Sequence, residues 1–262
     1  MSNIRAPAVA GTFYPADEEA LNHWLDEQLP QPSVEYKAPR MLLLPHAGYG
    51  YSGKLAAMGV SQLSSHPYRR IIILSPAHKI YLEGVALPGA ECQSFATPLG
   101  LVPLDQEGIA ALMGQAGVCQ SAAAHELEHA IEVQLPLLQR QLDYFELLPL
   151  VVGKCQPREL AKLLAPLLNN DTLLIVSSDL SHELSWLEAR EQDTFTLTQI
   201  LTLDKRHPLS SDQACGHYGI NAALLLASEH KWRPRLLGHY NSGDVTGNKL
   251  RVVGYAALAF YP

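Results

Sequence analysis

The chain has 262 residues, of which 47% are hydrophobic and 17% charged, and no shift in composition divides it, so we predict one domain over residues 1–262. The formal net charge is −7, and no basic cluster extends beyond Arg69 and Arg70 to hold a nucleic acid. No apolar run approaches the ~20 residues of a membrane span, and the first residues lack the apolar core of a signal peptide. We therefore expect a cytoplasmic protein with neither nucleic acid nor membrane as a partner.

The predicted elements alternate between helices and short apolar strands, which indicates an α/β fold with a mixed, mostly parallel sheet flanked by helices. Strands are predicted at residues 41–44, 70–74, 145–152, 172–177 and 250–260, with short antiparallel strands within 83–104. Helices are predicted at residues 17–29, 54–63, 105–113, 157–168, 187–203 and 217–230. Another helical pattern begins at Glu128, with Pro136 either kinking it or marking its true start.

Three of the apolar strands are followed by small residues and then by a histidine. These histidines are His46, which enters a glycine-rich turn that we expect to be irregular, His78 and His182. In open α/β sheets, ligands bind outside the carboxyl ends of the strands, so we expect the three imidazoles to share one crevice.

The crevice is a candidate metal site, because imidazole binds iron, copper and zinc. His46 and His78 are the natural pair of ligands. The spacing leaves the third ligand open among Cys215, Asp179, His182, Glu132 and Asp244.

Cys215 and the segment SSDLSH are the other candidates for chemistry. Cys215 precedes a predicted helix, whose dipole would favour the thiolate, although a free cysteine is often only a small buried hydrophobe. Asp179 and His182 have the spacing of a carboxylate-oriented acid/base pair, although Asp179 could instead cap a helix.

The segment His125 to His129 matches the HExxH pattern of zinc proteases, but we discount it because the preceding residues predict a loop rather than a continuous helix. His129 and Glu132 would share a helix face and either line a pocket or simply bond to each other. The loop of residues 240–248, which contains Asp244, could hold an anion or be a plain turn.

Eight blocks in order carry a resemblance: AGTFYP, PHAGYGYSG, SPAH, ATPLG, EHAIEVQLP, SSDLSH, CGHYG and SGDVTGN. Over residues 5–260 the chain resembles the Memo family, whose members are similar in fold to class III extradiol ring-cleaving dioxygenases. The resemblance implies a metal-binding crevice with His46, His78 and Cys215 as ligands and with Asp179 and His182 in the pocket. It also implies that Tyr51 and Phe13 line the pocket, with Phe13 replacing the tryptophan of animal members.

Cys215 stands where the dioxygenases have a carboxylate ligand, and a thiolate is softer and tolerates Cu(I) or Zn. Two hypotheses follow. The first is a mononuclear non-haem oxidoreductase of the dioxygenase type that binds Fe(II), with Cu or Zn as alternatives, and acts on a small molecule such as a phenol. The second is a non-catalytic protein that binds a metal, a small molecule or a peptide, such as a phosphopeptide, in the same crevice.

Overall fold

The computed structural model describes residues 3–30, 38–63 and 66–262 of the chain. The strands are β1 (Ile4–Arg5), β2 (Met41–Leu44), β3 (Arg70–Pro76), β4 (Val85–Leu87), β5 (Ser94–Thr97), β6 (Gly100–Pro103), β7 (Val118–Gln120), β8 (Glu146–Val152), β9 (Thr172–Ser177), β10 (His182–Leu184), β11 (Arg233–Asn241) and β12 (Val252–Tyr261). The α-helices are α1 (Glu18–Gln28), α2 (Lys54–Val60), α3 (Gln106–Leu112), α4 (Ala122–Glu126), α5 (Leu135–Gln141), α6 (Pro157–Leu164), α7 (Trp186–Leu201), α8 (His217–Glu229) and α9 (Ser242–Thr246).

The main sheet runs in the order β10-β12-β2-β9-β3-β8-β4-β7, and β11 pairs with β12 at its side. Its centre, β2-β9-β3-β8, is parallel, whereas β12 and β4 join it in antiparallel fashion. The central strands are almost completely buried, which explains why they read as unbroken apolar runs in the sequence. The predicted α/β class with a mixed sheet and flanking helices is confirmed, and β1, β5 and β6 form a second, three-stranded sheet.

The structure differs from the sequence predictions, or decides between them, at several local points. The glycine-rich turn after His46 forms a π-helical turn, Tyr49–Gly53, that runs directly into α2. The helical pattern from Glu128 begins with a 3₁₀ turn at Glu132–Gln134, and Pro136 marks the true start of the helix, which is one of the two alternatives that the sequence left open. The loop at 240–248 contains α9, whose Asn241 and Asp244 form a capping box. The sequence analysis also missed strand β11, whose arginines and exposed positions obscure its pairing with β12.

Glu132 binds the N-terminal segment to the rest of the fold. Its carboxylate is fully buried and ion-paired with Arg5, and it accepts hydrogen bonds from the backbone N–H groups of Ala8 (2.7 Å) and Val9 (3.0 Å) and from the Tyr14 hydroxyl (2.7 Å). A buried carboxylate requires this number of donors to offset the loss of water. Glu132 is therefore committed to holding the N-terminal segment.

Candidate metal centre

The central parallel strands deliver the predicted side chains to one edge of the sheet. β2 and β3 both pair with β9, and His46, His78 and Asp179 each follow the carboxyl end of one of these strands. The ring centroids of His46 and His78 are 5.1 Å apart. The convergence predicted for this pair is present in the structure.

His46 is almost completely buried, and its surroundings fix which ring nitrogen carries the proton. Its Nδ1 lies 3.1 Å from Ser177 Oγ at the end of β9. Ser177 Oγ donates its one proton to the carbonyl oxygen of Ala130 (2.7 Å) and accepts from Gln134 Nε2 (3.1 Å), so it must accept from His46 as well. The neutral ring therefore carries its proton on Nδ1, and Nε2 presents a lone pair.

His78 and His129 share one carboxylate, that of Glu128. Glu128 Oε1 lies 2.9 Å from His78 Nδ1 and 3.3 Å from His129 Nδ1. The two rings are stacked with centroids 4.9 Å apart. Because the carboxylate occupies the Nδ1 side of both rings, Nε2 is left as the atom available to a ligand in each case.

One ligand nitrogen from each of His46, His78 and His129 lies within 4.8 Å of the other two. Metal–nitrogen bonds of about 2.1 Å place two ligands of one tetrahedral ion about 3.4 Å apart, so ring nitrogens up to 4.8 Å apart must approach by up to about 1.4 Å to close the site. The side chain of His46 is 2% exposed, that of His129 14% and that of His78 27%, so the cluster is open on the His78 side. These three imidazoles fit a metal ion of the type that binds nitrogen donors.

The pKa values of the cluster favour neutral ligands. Burial, together with the nearby His78, lowers the pKa of His46 to about 3. Burial likewise lowers the pKa of His129 to about 4. Burial alone would raise the pKa of the Glu128 carboxyl, but hydrogen bonds from His78 and Ala130 outweigh it and lower that pKa to about 2. At neutral pH, His46 and His129 are thus unprotonated, as metal binding requires.

Cys215 lies beside this cluster, with Sγ 3.4 Å from His46 Nε2 and 3.3 Å from the backbone nitrogen of Asp179, which donates to it. The expected reactive thiolate is contradicted, because burial and the neighbouring Asp179 raise the pKa of the thiol to about 12. The start of α8 and the nearby histidines were expected to stabilise the thiolate, but they do not offset the cost of removing it from water. His46 is itself neutral and supplies no positive charge. Cys215 can reach an ion held at His46, but in the metal-free protein it is a buried thiol.

Asp179 and His182 differ from the expected pair. Asp179 Oδ1 accepts a hydrogen bond from the His46 backbone N–H (2.8 Å), and Oδ2 lies 4.0 Å from His46 Nε2. Within the described part of the chain no hydrogen bond joins Asp179 to His182, so the predicted tautomer-fixing contact does not form. His182 is exposed on β10, but it remains close enough to act electrostatically on both His46 and Asp179. Burial raises the pKa of Asp179, and the His46 hydrogen bond opposes that rise.

The remaining predicted pocket residues are dispersed. Phe13 contacts the cluster directly, with its ring centroid 4.8 Å from that of His129. Tyr51 is exposed, and its backbone oxygen accepts a hydrogen bond from the Tyr240 hydroxyl. Asp244 is exposed on α9, where it accepts from the Trp186 indole (2.7 Å). Glu132 is bound to the N-terminal segment, so among the predicted pocket residues Phe13 and His129 are the two that lie together at the histidine cluster.

The HExxH pattern does not form a protease site. α4 ends at Glu126, so His125 lies on it and His129 beyond it, which agrees with our discounting of the motif, although Ser121 caps a helix rather than opening a loop. His125 Nε2 bonds to the carbonyl oxygen of Ala86 (2.9 Å), and burial lowers its pKa to about 4.

The protein has an α/β fold whose central strands are parallel, and a histidine cluster at the carboxyl ends of these strands forms a candidate metal centre. A profile described as Memo-like protein matches residues 5–259, and the chain belongs to that family. It is 34% identical to a MEMO1 family protein of Ignicoccus hospitalis over 98% of both chains, and 35% identical to one of Methanosarcina mazei over 97% of this chain and 98% of that one. It is 31% identical to one of Aquifex aeolicus over 98% and 99%, respectively.

A solved structure supports the fold alone. The uncharacterized protein JW3007 from Escherichia coli K12 superposes with a TM-score of 0.54 at 14% identity, covering 85% of this chain and 99% of that one. Separately, no helix in the described ranges has the length and apolar content to cross a membrane.

Proposed function

We propose that this protein is a mononuclear non-haem metal protein with oxidoreductase activity of the dioxygenase type toward a small phenolic substrate, with Fe(II) as the native ion and Cu or Zn as alternatives. The observation that carries the proposal is the group of three imidazole nitrogens within 4.8 Å of one another, open on the His78 side. The four cysteines of the protein are free thiols, which suits a reducing compartment, and we propose that the protein acts in the cytoplasm.

A bound ion would supply Lewis acidity and, as Fe(II), the ability to activate oxygen. The protein's own residues would orient the substrate and move protons. Phe13 stands against His129 and would offer an aromatic wall to a phenol. His182 is exposed and acts electrostatically on His46 and Asp179, so we assign it the role of proton acceptor for the substrate hydroxyl.

A second candidate function is binding without turnover, and one observation favours it. The three-histidine set lacks the carboxylate of the facial triad of non-haem iron oxygenases. A neutral ligand set of this kind also suits an ion that serves only to hold an anionic or aromatic group, such as a phosphopeptide or a small phenol.

Oxygen uptake by metal-loaded protein with a panel of catechols and hydroquinones tests the choice between the two. His182→Ala should lower turnover by about 10²-fold or more while leaving metal affinity within a small factor, because it removes an acid/base group and no ligand. His23→Ala is the matched control, since His23 is an exposed histidine on α1 that pairs with Glu27. Wild-type protein that consumes no oxygen with any of these compounds, but binds one of them by calorimetry, would replace the enzyme proposal with the binding one.

A further inference from the structure

Glu128 lies between the two segments that carry His78 and His129. Its side chain is 1% exposed. Oε1 faces His78 Nδ1 (2.9 Å), His129 Nδ1 (3.3 Å) and the backbone N–H of Ala130 (3.0 Å), while Oε2 accepts from the backbone N–H of His78 (2.9 Å). One carboxylate thus fixes both the ring and the backbone of His78 and stands against the second ring.

The carboxylate also determines where the protons of the two rings lie. An ionised carboxylate only accepts hydrogen bonds, so a ring nitrogen that is hydrogen-bonded to it must carry the proton. In a neutral imidazole the other nitrogen is then a lone pair. For His78, whose Nδ1 is hydrogen-bonded to the carboxylate, that other nitrogen is Nε2, on the side where the ion would bind. For His129, whose Nδ1 lies 3.3 Å from Oε1 as an ion-pair contact, the nearby negative charge favours the same tautomer.

We propose that Glu128 is a positioning residue that holds His78 and His129 as one preformed pair, with both Nε2 atoms unprotonated before an ion arrives, and that it thereby sets the affinity of the site. The inference rests on the proposed metal binding. It assigns no chemistry to Glu128 itself, because the carboxylate faces away from the ligand atoms.

The backbone of Glu128 is held in turn by Arg5. Arg5 Nη2 donates to the Glu128 carbonyl oxygen (2.6 Å), and Arg5 Nε donates to the His125 carbonyl oxygen (2.9 Å). The same guanidinium is ion-paired with Glu132 and nearly buried. The segment that presents Glu128 and His129 is therefore fixed at its main chain, which gives the carboxylate a defined place between the rings.

Glu128→Gln separates positioning from simple space filling, because glutamine has nearly the same shape but only one acceptor oxygen. Its amide group would face either the His78 backbone N–H or the two ring N–H groups, and each arrangement sets donor against donor. An amide facing the rings favours the tautomer with the proton on Nε2, which would block the ligand atom.

Two measurements on metal-free and metal-titrated protein test the proposal. Nitrogen-15 NMR of the histidine rings should show both His78 and His129 protonated on Nδ1 in wild type, and a shift toward Nε2 protonation in Glu128→Gln. Competition with a chelator for Zn should show affinity lower by about 10–100-fold in Glu128→Gln, the usual scale for loss of a group that orients a ligand.

Asp105→Asn is the matched control, because Asp105 is another carboxylate with a 1% exposed side chain, paired with Arg70 at the far end of β3 from the site. It should lower stability while leaving ring tautomers and metal affinity unchanged. The proposal is overturned if the wild-type rings carry their protons on Nε2, a result that needs no variant to fold. It is also overturned if Glu128→Gln keeps wild-type tautomers and affinity. Wild-type protein that binds no metal would instead refute the proposed function, and the NMR measurement would still decide the role of Glu128.

Discussion

Cys215 should be the least reactive thiol of the metal-free protein. Burial raises its pKa to about 12 from an ordinary value of 9.0, which lowers its thiolate fraction at neutral pH by about 10³-fold. A more basic thiolate is also the better nucleophile, and a Brønsted slope of about 0.45 returns about 20-fold of that loss. The net expectation is a reaction with a disulfide reagent about 50-fold slower than that of an ordinary exposed thiol, before the restricted access to the sulfur is counted.

The chain contains its own controls for this measurement. Cys119 is exposed, whereas burial raises the pKa of Cys155 to about 11. Timed reaction with dithiodipyridine, followed by mass spectrometry of peptides, should rank Cys119 first and Cys215 last. Reaction of Cys215 at the rate of Cys119 would refute the reasoning, because it would mean that the neighbouring histidines stabilise the thiolate more than burial destabilises it.

Two further predictions concern stability. His46, His125 and His129 have pKa values lowered to about 3 or 4 by burial, so below the ordinary value of 6.5 the unfolded chain binds more protons than the folded chain. The contribution of these residues to stability is therefore complete above pH 6.5 and is lost as the pH falls. Urea unfolding of metal-free protein should therefore show a loss of about 1–2 kcal/mol per imidazole between pH 7 and pH 5, and unchanged stability would contradict the lowered pKa values. Glu132→Ala should cost about 3–5 kcal/mol, because it leaves the Arg5 guanidinium buried without its carboxylate. Glu159→Ala, which breaks an exposed pair with Lys162, should stay within about 1 kcal/mol, and similar losses in the two variants would refute the assigned role of Glu132.

The strands that build the site could be predicted from the sequence because they are buried on both faces. The residues of β2 and β9 form apolar runs that end where the strands end, and the histidines and Asp179 follow at once. Since parallel strands share a carboxyl edge, the meeting of His46 and His78 follows from the pattern alone. β11 could not be found in this way, because it is half-exposed and its pairing with β12 is a long-range contact.

The third member of the cluster could not be predicted from spacing. His129 follows no strand, and it reaches His46 and His78 because the chain after α4 passes beside the sheet edge without forming the expected helix. The sequence did offer the HExxH pattern, which we discounted, and the spacing of His129 and Glu132, which predicted a pocket residue, but neither placed His129 beside His46 and His78. Likewise, the position of Cys215 before α8 predicted a lowered thiol pKa, whereas its burial beside Asp179 raises that pKa.

The most direct test of the metal centre is an anaerobic titration of wild-type and variant protein with Fe(II), Cu(I) and Zn, with bound metal counted by elemental analysis. The account predicts one ion per chain in wild type and in His23→Ala, and loss of stoichiometric binding in His46→Ala, His78→Ala and His129→Ala. Binding of one ion per chain by the His46→Ala, His78→Ala double variant, with the affinity of wild type, would contradict it.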